Sequence, residues 1–348
     1  MRVLERLDEI YAIAQHRAGY SPEEDAAHEL AAGWMREAGL EVDRDAAGNL
    51  FGRLRGRGPE LPEVWTGSHL DSVPAGGRFD GALGVIGGLD AVERAGQQER
   101  TLTVVAFRDE EGWKGPGCVG SRSLCATGLD PGPAAFVELH VEQGPRLEDA
   151  DAPLAVVTGI VATARGEVAF QGREGHAGTT PMTGRSDAVV AAAEFVLRLR
   201  DAAAAVDGAV ATVGRLEVEP GASNVIPARV RVSVDVRAPD RRRMDEVLAV
   251  VPAELSRTAE VEMAPEPTRA LREQLERLGL PLVELASGAG HDAGVLAAAG
   301  VPTAMLFVRS LNGGISHSPD ELSATEDIEQ AVSVLAGALA ALATSVDD

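Results

Sequence analysis

The chain of 348 residues is short of cysteine, of basic residues and of long apolar runs. Its two cysteines, Cys118 and Cys125, are too few for a disulfide framework and indicate a reducing compartment, although a local bridge between them stays open. Lysine and arginine total 32 against 54 aspartates and glutamates, and the net charge of -22 argues against a nucleic-acid-binding surface.

The apolar pattern argues against a membrane protein. No run approaches the roughly 18 apolar residues of a membrane-spanning helix. The first residues, MRVLERLDEIYAIAQH, lack the apolar core of a signal peptide. We therefore expect a cytoplasmic protein that has neither a membrane nor a nucleic acid as partner.

A chain of this length predicts two domains, at about 150 residues per domain. Up to about residue 160, apolar residues at helical spacing alternate with short apolar runs, and the alternation resumes after Pro267. This pattern predicts a doubly wound, largely parallel α/β sheet. The predicted helices are 4–13, 28–38 and 82–95, and the predicted strands lie near 48–54, 64–68, 102–107 and 135–141.

Between the two α/β segments the pattern changes. The runs RGEVAFQG, VATVGRLEV, RVRVSVDVRA and EVEMA read as strands, and two helical segments, SDAVVAAAEFVLRLRDAAAA and DRRRMDEVLAVVPAELSRTA, lie among them. The order β-α-β-β-α-β is typical of a ferredoxin-like unit. We predict a catalytic domain of residues 1–162 plus 269–348 and an inserted lid or dimerisation domain of residues 163–268.

Residues that can bind metal follow four of the apolar strands. His69 and Asp71 follow the run EVWTGS, and the triplet 109–111 follows TLTVVAF. His140 follows AAFVEL, and His317 follows AMLFV after a glycine-rich loop. Ligands of open α/β sheets bind beyond the carboxyl ends of the strands, so these endings predict one shared site. Imidazole and carboxylate together are the ligands of a divalent metal enzyme.

Each ending alone has an ordinary explanation. A histidine and an aspartate two residues apart, such as His69 and Asp71, more often only form a hydrogen bond at the end of a strand. Three consecutive acidic residues, such as 109–111, more often lie on a solvent-exposed face. Four coincident endings favour a shared site. In that site Asp71 can accept a hydrogen bond from His69, one of Glu110 and Glu111 can bind metal while the other acts as a base, and Asp80 can turn toward two ions.

Eight segments of the sequence then carry a resemblance. They resemble the signature segments of the family of N-carbamoyl-L-amino-acid hydrolases, allantoate amidohydrolases and β-ureidopropionases, a branch of the two-metal aminoacylase and carboxypeptidase superfamily. They run in the family's order from about residue 60 to 325, and are GSHLDSVPAGGRFDGALGV, FRDEEG, GSRSL, LHVEQGP, GREGHAGTTPM, SNVIP, SGAGHDA and GGISHSPDE.

The resemblance implies a zinc-peptidase-like catalytic domain, a ferredoxin-like lid that forms a homodimer, and two divalent ions per subunit. Asp80 would bridge the ions, and Glu110 would be the general base. The remaining ligands would be His69 and His140 for one ion and Glu111 and His317 for the other. Zinc, manganese, cobalt and nickel all suit such ligands.

The resemblance also implies a set of residues that hold the substrate. His176 would polarise the scissile carbonyl from the partner subunit, and Arg237 would bind a carboxylate, for which a planar guanidinium is suited. The rest of this set is Gln143, Asn224 and the backbone around Gly314. His291 and Asp292 would support the site or line it, while His16 and His28 are expected on helix surfaces.

Three functions follow as hypotheses. The first is hydrolysis of N-carbamoyl-L-amino acids, with allantoate and β-ureidopropionate as close alternatives. The second is an aminoacylase or dipeptidase, but the peptidase branch generally has a carboxylate where His140 stands. The third, a non-catalytic homologue, is disfavoured because Glu110 and every implied ligand are present.

Overall fold

The computed structural model describes residues 2–113, 115–129 and 132–344. The helices are α1 (Arg2–Ile13), α2 (Pro22–Glu37), α3 (Ala82–Ala95), α4 (Val119–Thr127), α5 (Arg146–Asp149), α6 (Ala188–Ala204), α7 (Arg241–Leu248), α8 (Pro265–Arg277), α9 (Asp292–Ala298) and α10 (Thr325–Thr344). The strands are β1 (Glu41–Arg44), β2 (Leu50–Leu54), β3 (Val64–His69), β4 (Leu102–Phe107), β5 (Ala135–Val141), β6 (Leu154–Ile160), β7 (Ala162–Gln171), β8 (Val210–Thr212), β9 (Leu216–Glu219), β10 (Arg229–Ala238), β11 (Ser256–Thr258), β12 (Val261–Glu262), β13 (Glu284–Ser287) and β14 (Thr303–Val308).

The chain forms two compact units. Unit 1 comprises the residues up to Gly159 and from Glu262 onward, and unit 2 comprises Ile160–Val261. Each unit has an apolar core of its own. The predicted boundaries at 162/163 and 268/269 lie a few residues later, because α8 already begins at Pro265 and packs on α10 within unit 1.

Unit 1 is built on a mixed sheet. Among the described residues it has nine strands, in the order β1-β2-β4-β3-β5-β14-β6-β12, with β13 beside β6. The central strands β4, β3, β5 and β14 run parallel, whereas β2 and β6 join them antiparallel. The expected α/β fold is confirmed, but the sheet is mixed, because β2 and β6 run antiparallel to the strands that they join.

The central strands are buried along their whole length. Strands covered on both faces are apolar throughout, which is why their sequences show continuous runs instead of alternation. Helix α3 packs closely against them, since a Cβ on Gly84 would lie 2.4 Å from the carbonyl oxygen of Leu139. This helix begins directly after Asp80 and Gly81, so its packing holds the loop that carries Asp80.

Unit 2 follows the order β7, α6, β8, β9, β10, α7 and β11. Among its described residues the sheet runs β11-β7-β10-β8, with β9 also beside β10, and these pairings are antiparallel. Alternate residues of β10, from Val230 to Val236, are buried in a core that they share with Phe195 of α6 and Met244 of α7. Burial of one face of the strand explains the strict alternation of valines.

Two predicted elements of unit 2 were wrong in their extent. The run VATVGRLEV forms two short strands, β8 and β9, and α7 ends at Leu248, where a helix to residue 259 was expected. Pro252 follows shortly, and a residue before proline disfavours the helical conformation. The last strand of the unit is therefore β11, which pairs with β7, while β12 from the EVEMA run joins the sheet of unit 1.

Helix α2 begins earlier than predicted, at Pro22. The Ser21 hydroxyl accepts a hydrogen bond from the Glu24 backbone N–H at 3.2 Å, which is an N-cap followed by proline and acids. His28, expected at the surface, is fully buried on the core face of this helix. His16 lies beyond the end of α1, and its ring meets that of Trp113 edge to face at 4.5 Å.

The sequence predicted no apolar segment long enough to span a membrane, but helix α10 is one. Its 20 residues are long and apolar enough to cross a membrane by length and composition alone. However, 61% of its apolar window is buried inside the protein, where it packs on α3 and α8. Its composition is that of a core helix, because these contacts require apolar residues on several faces.

Candidate metal centre

The carboxyl ends of three parallel strands bring their polar residues together. The register places His69, at the end of β3, level with His140 in β5 and beside Phe107 at the end of β4. Glu110 follows β4 by three residues, and its carboxylate Oε2 lies 3.7 Å from His69 Nε2. The strand endings that were picked out in the sequence therefore meet at one edge of the sheet.

Asp80 lies at the centre of this group and uses its two oxygens in different directions. Its Oδ1 lies 3.7 Å from His69 Nε2 and 3.3 Å from His140 Nε2. Its Oδ2 lies 3.4 Å from His317 Nε2, which is in turn 3.5 Å from Glu111 Oε2. One buried carboxylate is thus shared by two clusters of possible metal ligands.

The spacing and chemistry of these atoms suit divalent metal ions. In each cluster, His69–Asp80–His140 and Asp80–Glu111–His317, the ligand atoms all lie within 4.8 Å of one another. Two ligands that are each about 2.1 Å from a tetrahedral ion lie about 3.4 Å apart. The observed separations of 3.3 to 3.7 Å match that value.

Hydrogen bonds orient two of the imidazoles. His69 Nδ1 lies 3.3 Å from Asp71 Oδ1 and 3.2 Å from the Asp71 carbonyl oxygen, and His140 Nδ1 donates to the Val141 carbonyl at 2.9 Å. Because these partners are acceptors, Nδ1 carries the proton in both neutral rings. The Nε2 lone pairs that face Asp80 are then available to a metal.

Asp71 also fixes the two glutamates that follow β4. Its carboxylate accepts the backbone N–H of Glu110 at 3.1 Å and that of Glu111 at 3.0 Å. The thiol of Cys118 donates to Glu110 Oε1 at 3.3 Å. The predicted supporting contact of Asp71 with His69 is therefore accompanied by a second contact, which the sequence did not suggest.

The cluster strongly perturbs the acidity of its members. Burial raises the pKa of Glu110 well above its ordinary value, which the charge of His69 opposes and nearby carboxylates reinforce. Burial and the charge of Asp80 raise the pKa of Glu111 to about 7. Burial alone would raise the pKa of Asp80, but the hydrogen bonds and charges of His140 and His317 in their protonated forms outweigh it and hold that pKa well below its usual range. Carboxyl groups with such different acidities in one place are typical of functional sites.

Gln143 and Gly314 both lie at this group. Gln143 Nε2 donates to Asp80 Oδ2 at 2.8 Å, while its Oε1 is buried without a hydrogen-bond partner among the described residues. Gly314 has a φ of +74°, and a Cβ there would lie 2.0 Å from the Gly144 carbonyl carbon. Only glycine allows this close approach, which brings the loop before His317 against the loop that carries Gln143.

The strand β5 also carries a buried glutamate that supports the site. Glu138 accepts hydrogen bonds from the Ser68 hydroxyl at 2.7 Å and from the Ala293 backbone N–H at 2.9 Å. His291 packs edge-on against His140, with 4.5 Å between ring centroids. Although Glu138, His140 and His291 also satisfy the spacing of a metal group, these hydrogen bonds occupy both oxygens of Glu138.

Asp292 belongs to the same group of buried residues that support the site. It is fully buried, and its Oδ1 accepts a hydrogen bond from the Ser121 hydroxyl at 2.5 Å. Burial and the charge of Glu138 raise its pKa to about 8. These contacts favour a supporting role for His291 and Asp292 over the alternative of lining the site.

The substrate residues implied for unit 2 lie on its sheet and an adjoining loop. His176 forms an antiparallel bridge with Val225, and the Ala177 N–H donates to the Asn224 carbonyl at 3.0 Å, so His176 and Asn224 are neighbours. Arg237 is on β10, and its Nε donates to Asp235 Oδ1 at 3.0 Å.

Asp235 is shared between two arginines. Arg165 donates to its Oδ2 at 2.8 Å, while Arg237 donates to both of its oxygens. Burial alone would raise the pKa of Asp235, but the hydrogen bonds and charges of the two guanidinium groups lower it below its ordinary value. Two guanidinium groups therefore lie together at this end of the sheet.

Residues 65–341 match the model of peptidase family M20/M25/M40. The chain belongs to this family. An N-carbamoyl-L-amino acid amidohydrolase of Geobacillus stearothermophilus is 37% identical to this M20 chain over 96% of each. A ureidoglycolate hydrolase of Oryza sativa subsp. japonica is 34% identical, covering 94% of this chain and 80% of its own. The crystal structure of an amidase of the hydantoinase/carbamoylase family from Burkholderia multivorans superposes with a TM-score of 0.89 at 32% identity, covering 99% and 98% of the two chains.

These similarities confirm the resemblance that the sequence motifs carried. M20 family members are typically dinuclear metalloenzymes, and this one has two groups of candidate metal ligands that share Asp80. It is a hydrolase that acts on carbon–nitrogen bonds other than peptide bonds.

One residue of this M20 site that the sequence analysis did not single out is Glu321. Its Oε2 accepts the backbone N–H of Phe79 at 2.7 Å and of Asp80 at 3.1 Å, and its Oε1 accepts the Ser316 hydroxyl at 2.9 Å. Glu321 therefore fixes the loop of the shared carboxylate from 241 residues away. Its place in GGISHSPDE was the only signal in the sequence.

We expect Glu321→Ala to lower the affinity for divalent metal by roughly 10- to 100-fold, because loss of a supporting partner releases the ligand that it orients. Glu321→Gln, which keeps one acceptor oxygen, should have a smaller effect. Competition with a chelating dye would measure the affinity for zinc or manganese. Glu326→Ala, at an exposed position near the start of α10, is the matched control, and equal affinities for all four proteins would contradict the role of Glu321.

Proposed function

We propose that this protein hydrolyses the ureido carbon–nitrogen bond of N-carbamoyl-L-amino acids or of a related ureido acid. The observation that carries the proposal is the shared carboxylate of Asp80, whose two oxygens face imidazoles on two sides, with Glu110 beside the group. His69 and His140 would complete the ligands of one divalent ion, and Glu111 and His317 those of the other. The name of the Geobacillus relative supports this substrate class.

Two divalent ions held by these residues would lower the pKa of a water, so that it is a nucleophile at neutral pH, and would polarise the carbonyl oxygen. Glu110 accepts a proton from the attacking water and delivers it to the nitrogen that leaves, a role suited to a carboxyl whose pKa burial raises well above its ordinary value. His176 donates a hydrogen bond to the carbonyl oxygen as negative charge develops, and a placed donor typically contributes about 10²–10³ in rate. One water is consumed, and the products are the free amine and carbamic acid, which gives ammonia and carbon dioxide.

Two further observations bear on the substrate. The two guanidinium groups of Arg237 and Arg165, which lie together on Asp235, support a substrate that carries a carboxylate. His140, where the peptidase branch generally has a carboxylate, supports the carbamoyl branch. Membership of the peptidase family supports an aminoacylase, which hydrolyses a non-peptide amide bond, as the alternative. Allantoate, β-ureidopropionate and ureidoglycolate are the alternative ureido acids.

The proposal is tested by measuring ammonia and free amine side by side with the zinc- or manganese-loaded protein. The substrates are N-carbamoyl-L-amino acids and their D enantiomers, N-carbamoyl-β-alanine, allantoate, ureidoglycolate and N-acetyl-L-amino acids. Ammonia from a ureido substrate supports the proposal, and the fastest of them identifies the enzyme. Amine from N-acetyl compounds alone would replace the proposal by an aminoacylase.

We expect Glu110→Gln to lower kcat by at least about 10²-fold, because the amide cannot accept the proton of the attacking water. Metal content should be unchanged, since Glu110 is not among the proposed ligands. Glu111→Gln is the matched comparison and should lose metal at one position. Metal analysis and steady-state kinetics of the two variants would measure both effects, and full turnover by Glu110→Gln would remove it as the base.

We expect Arg237→Ala to raise KM for the carboxylate substrate by about tenfold or more, because a charged hydrogen bond is lost. A substrate with a carboxamide in place of the carboxylate should bind the variant and the parent equally. Arg231→Ala, on the same face of β10 and bonded to Glu217, is the control. An unchanged KM for the carboxylate substrate would contradict this role.

We further propose a homodimer formed through unit 2, in which His176 serves the active site of the partner subunit. Val190 and Leu197, seven residues apart on α6, are each 51% exposed and offer an apolar stripe for such a contact. The free thiols of Cys118 and Cys125 support a reducing compartment, such as the cytoplasm, as its location.

Subunit mixing tests the sharing of His176. His176→Ala and Glu110→Gln dimers should each keep at most about a hundredth of the parent activity, and equal mixtures should regain about a quarter of it if random mixed dimers each restore one site. Native mass spectrometry would count the mixed dimers. Verified mixed dimers without activity would argue that His176 acts within its own subunit.

A further inference from the structure

The loop that carries His176 is held firmly on one side by backbone hydrogen bonds. The Ile226 N–H donates to the Gly175 carbonyl at 2.9 Å, and the Ala177 N–H donates to the Asn224 carbonyl at 3.0 Å. The N–H of Thr180 donates to the carbonyl of His176 itself at 3.1 Å, which closes a turn over residues 176–180. These bonds fix the backbone of His176 but leave the other side of the turn to be held by a side chain.

The imidazole of His176 has a defined proton position within this turn. The Gly178 backbone N–H donates to His176 Nδ1 at 3.0 Å. A backbone N–H can only donate, so Nδ1 is the bare nitrogen, and a neutral ring carries its proton on Nε2. This tautomer has the N–H at the outer end of the ring, where it can donate to a substrate oxygen.

Arg185 holds the side of the turn that the backbone bonds leave open. Its Nη2 donates to the carbonyls of Ala177 at 2.5 Å and Thr180 at 2.9 Å, and its Nε donates to the same Thr180 carbonyl at 3.1 Å. Ala177 and Thr180 stand on either side of the Gly178–Thr179 segment. The rigid guanidinium fork thus fixes the carbonyls that bracket the Gly178 N–H.

We propose that Arg185 is a positioning residue for His176. By holding the Ala177 and Thr180 carbonyls, it keeps the Gly178 N–H directed at Nδ1 and so keeps the proton of His176 on Nε2. The consequence for catalysis rests on the proposed function, in which that N–H donates to the substrate carbonyl. The tautomer itself does not depend on any substrate, so it can be tested separately.

A lysine is a poor replacement at this position. Arg185 makes its contacts with two different nitrogens of a planar group, whereas an ammonium offers one nitrogen on a flexible chain. Arg185→Lys keeps the charge and removes the fork, while Arg185→Gln removes both. Arg173 is an exposed arginine close by in the same segment, and Arg173→Gln serves as the matched control for the loss of a charge.

The first readout is 15N NMR of the full-length protein at a pH near 8.5, at which an ordinary imidazole is neutral. The ring signals of His176 are assigned by their loss in His176→Ala. The parent protein and Arg173→Gln should show a bare Nδ1 and a protonated Nε2. Arg185→Gln should shift both signals toward a mixture of tautomers, and Arg185→Lys should shift them less.

Unchanged ring signals of His176 in folded Arg185→Gln would overturn the proposal. If that variant does not fold, unchanged signals in Arg185→Lys would overturn it.

The second readout is a double-mutant cycle on turnover of the best ureido substrate. Arg185→Gln should lower kcat by about tenfold or more, within the roughly 10²–10³-fold loss expected when a placed donor is removed. In the His176→Ala background the same substitution should cause no further loss, because the residue that it positions is gone. A loss that adds in full to that of His176→Ala would overturn the proposal, since Arg185 would then act by another route.

The two readouts separate this inference from the proposed function. A tautomer shift in a protein that hydrolyses no ureido substrate would refute the proposed function and still support the positioning of His176 by Arg185. Turnover with an unchanged tautomer in Arg185→Gln would support the proposed function and refute the positioning.

Discussion

The arrangement of unit 1 depends on one buried carboxylate that faces three imidazoles. Asp80 is 5% exposed, and a buried charge is costly unless several partners compensate for lost hydration. Its two oxygens have different sets of neighbours, so small movements of the loop would break both sets at once. Glu321 fixes the backbone of this loop, and Gly81 leaves room for His69, whose ring atoms would lie 2.3 to 2.5 Å from a Cβ at that position.

The central strands supply the rigidity that such a site needs. Because β3, β4, β5 and β14 are buried along their length, the residues at their carboxyl ends start from fixed points. Asp71 then links the end of β3 to the two residues that follow β4. The sheet therefore determines where ligands begin, and hydrogen bonds between loops determine the direction in which they point.

The residues at the strand ends were predictable, because an abrupt change from apolar to polar residues is a local signal. Their partners were not, since they come from distant parts of the chain. Glu24 is fully buried and accepts hydrogen bonds from Arg108 and from the Asp109 backbone, 84 and 85 residues away. The last strand of unit 2 was assigned to the wrong segment for a related reason: β11 is a short exposed strand whose sequence, Ser-Arg-Thr, has no apolar residue. Only its pairing with β7 identifies it.

The interruption of unit 1 by unit 2 has a consequence for synthesis of the protein. Strand β5 pairs along its length with β14, and 167 residues separate Val141 from its partner Val308. At about 5–20 residues per second, a ribosome needs on the order of ten seconds or more to make that stretch. Unit 2 can complete its strand pairings from one continuous segment during this time, while the apolar edge of β5 waits for its neighbour. The ligands His69, Asp80 and His140 are thus made early, but the sheet that supports them is completed only when nearly the whole chain has emerged.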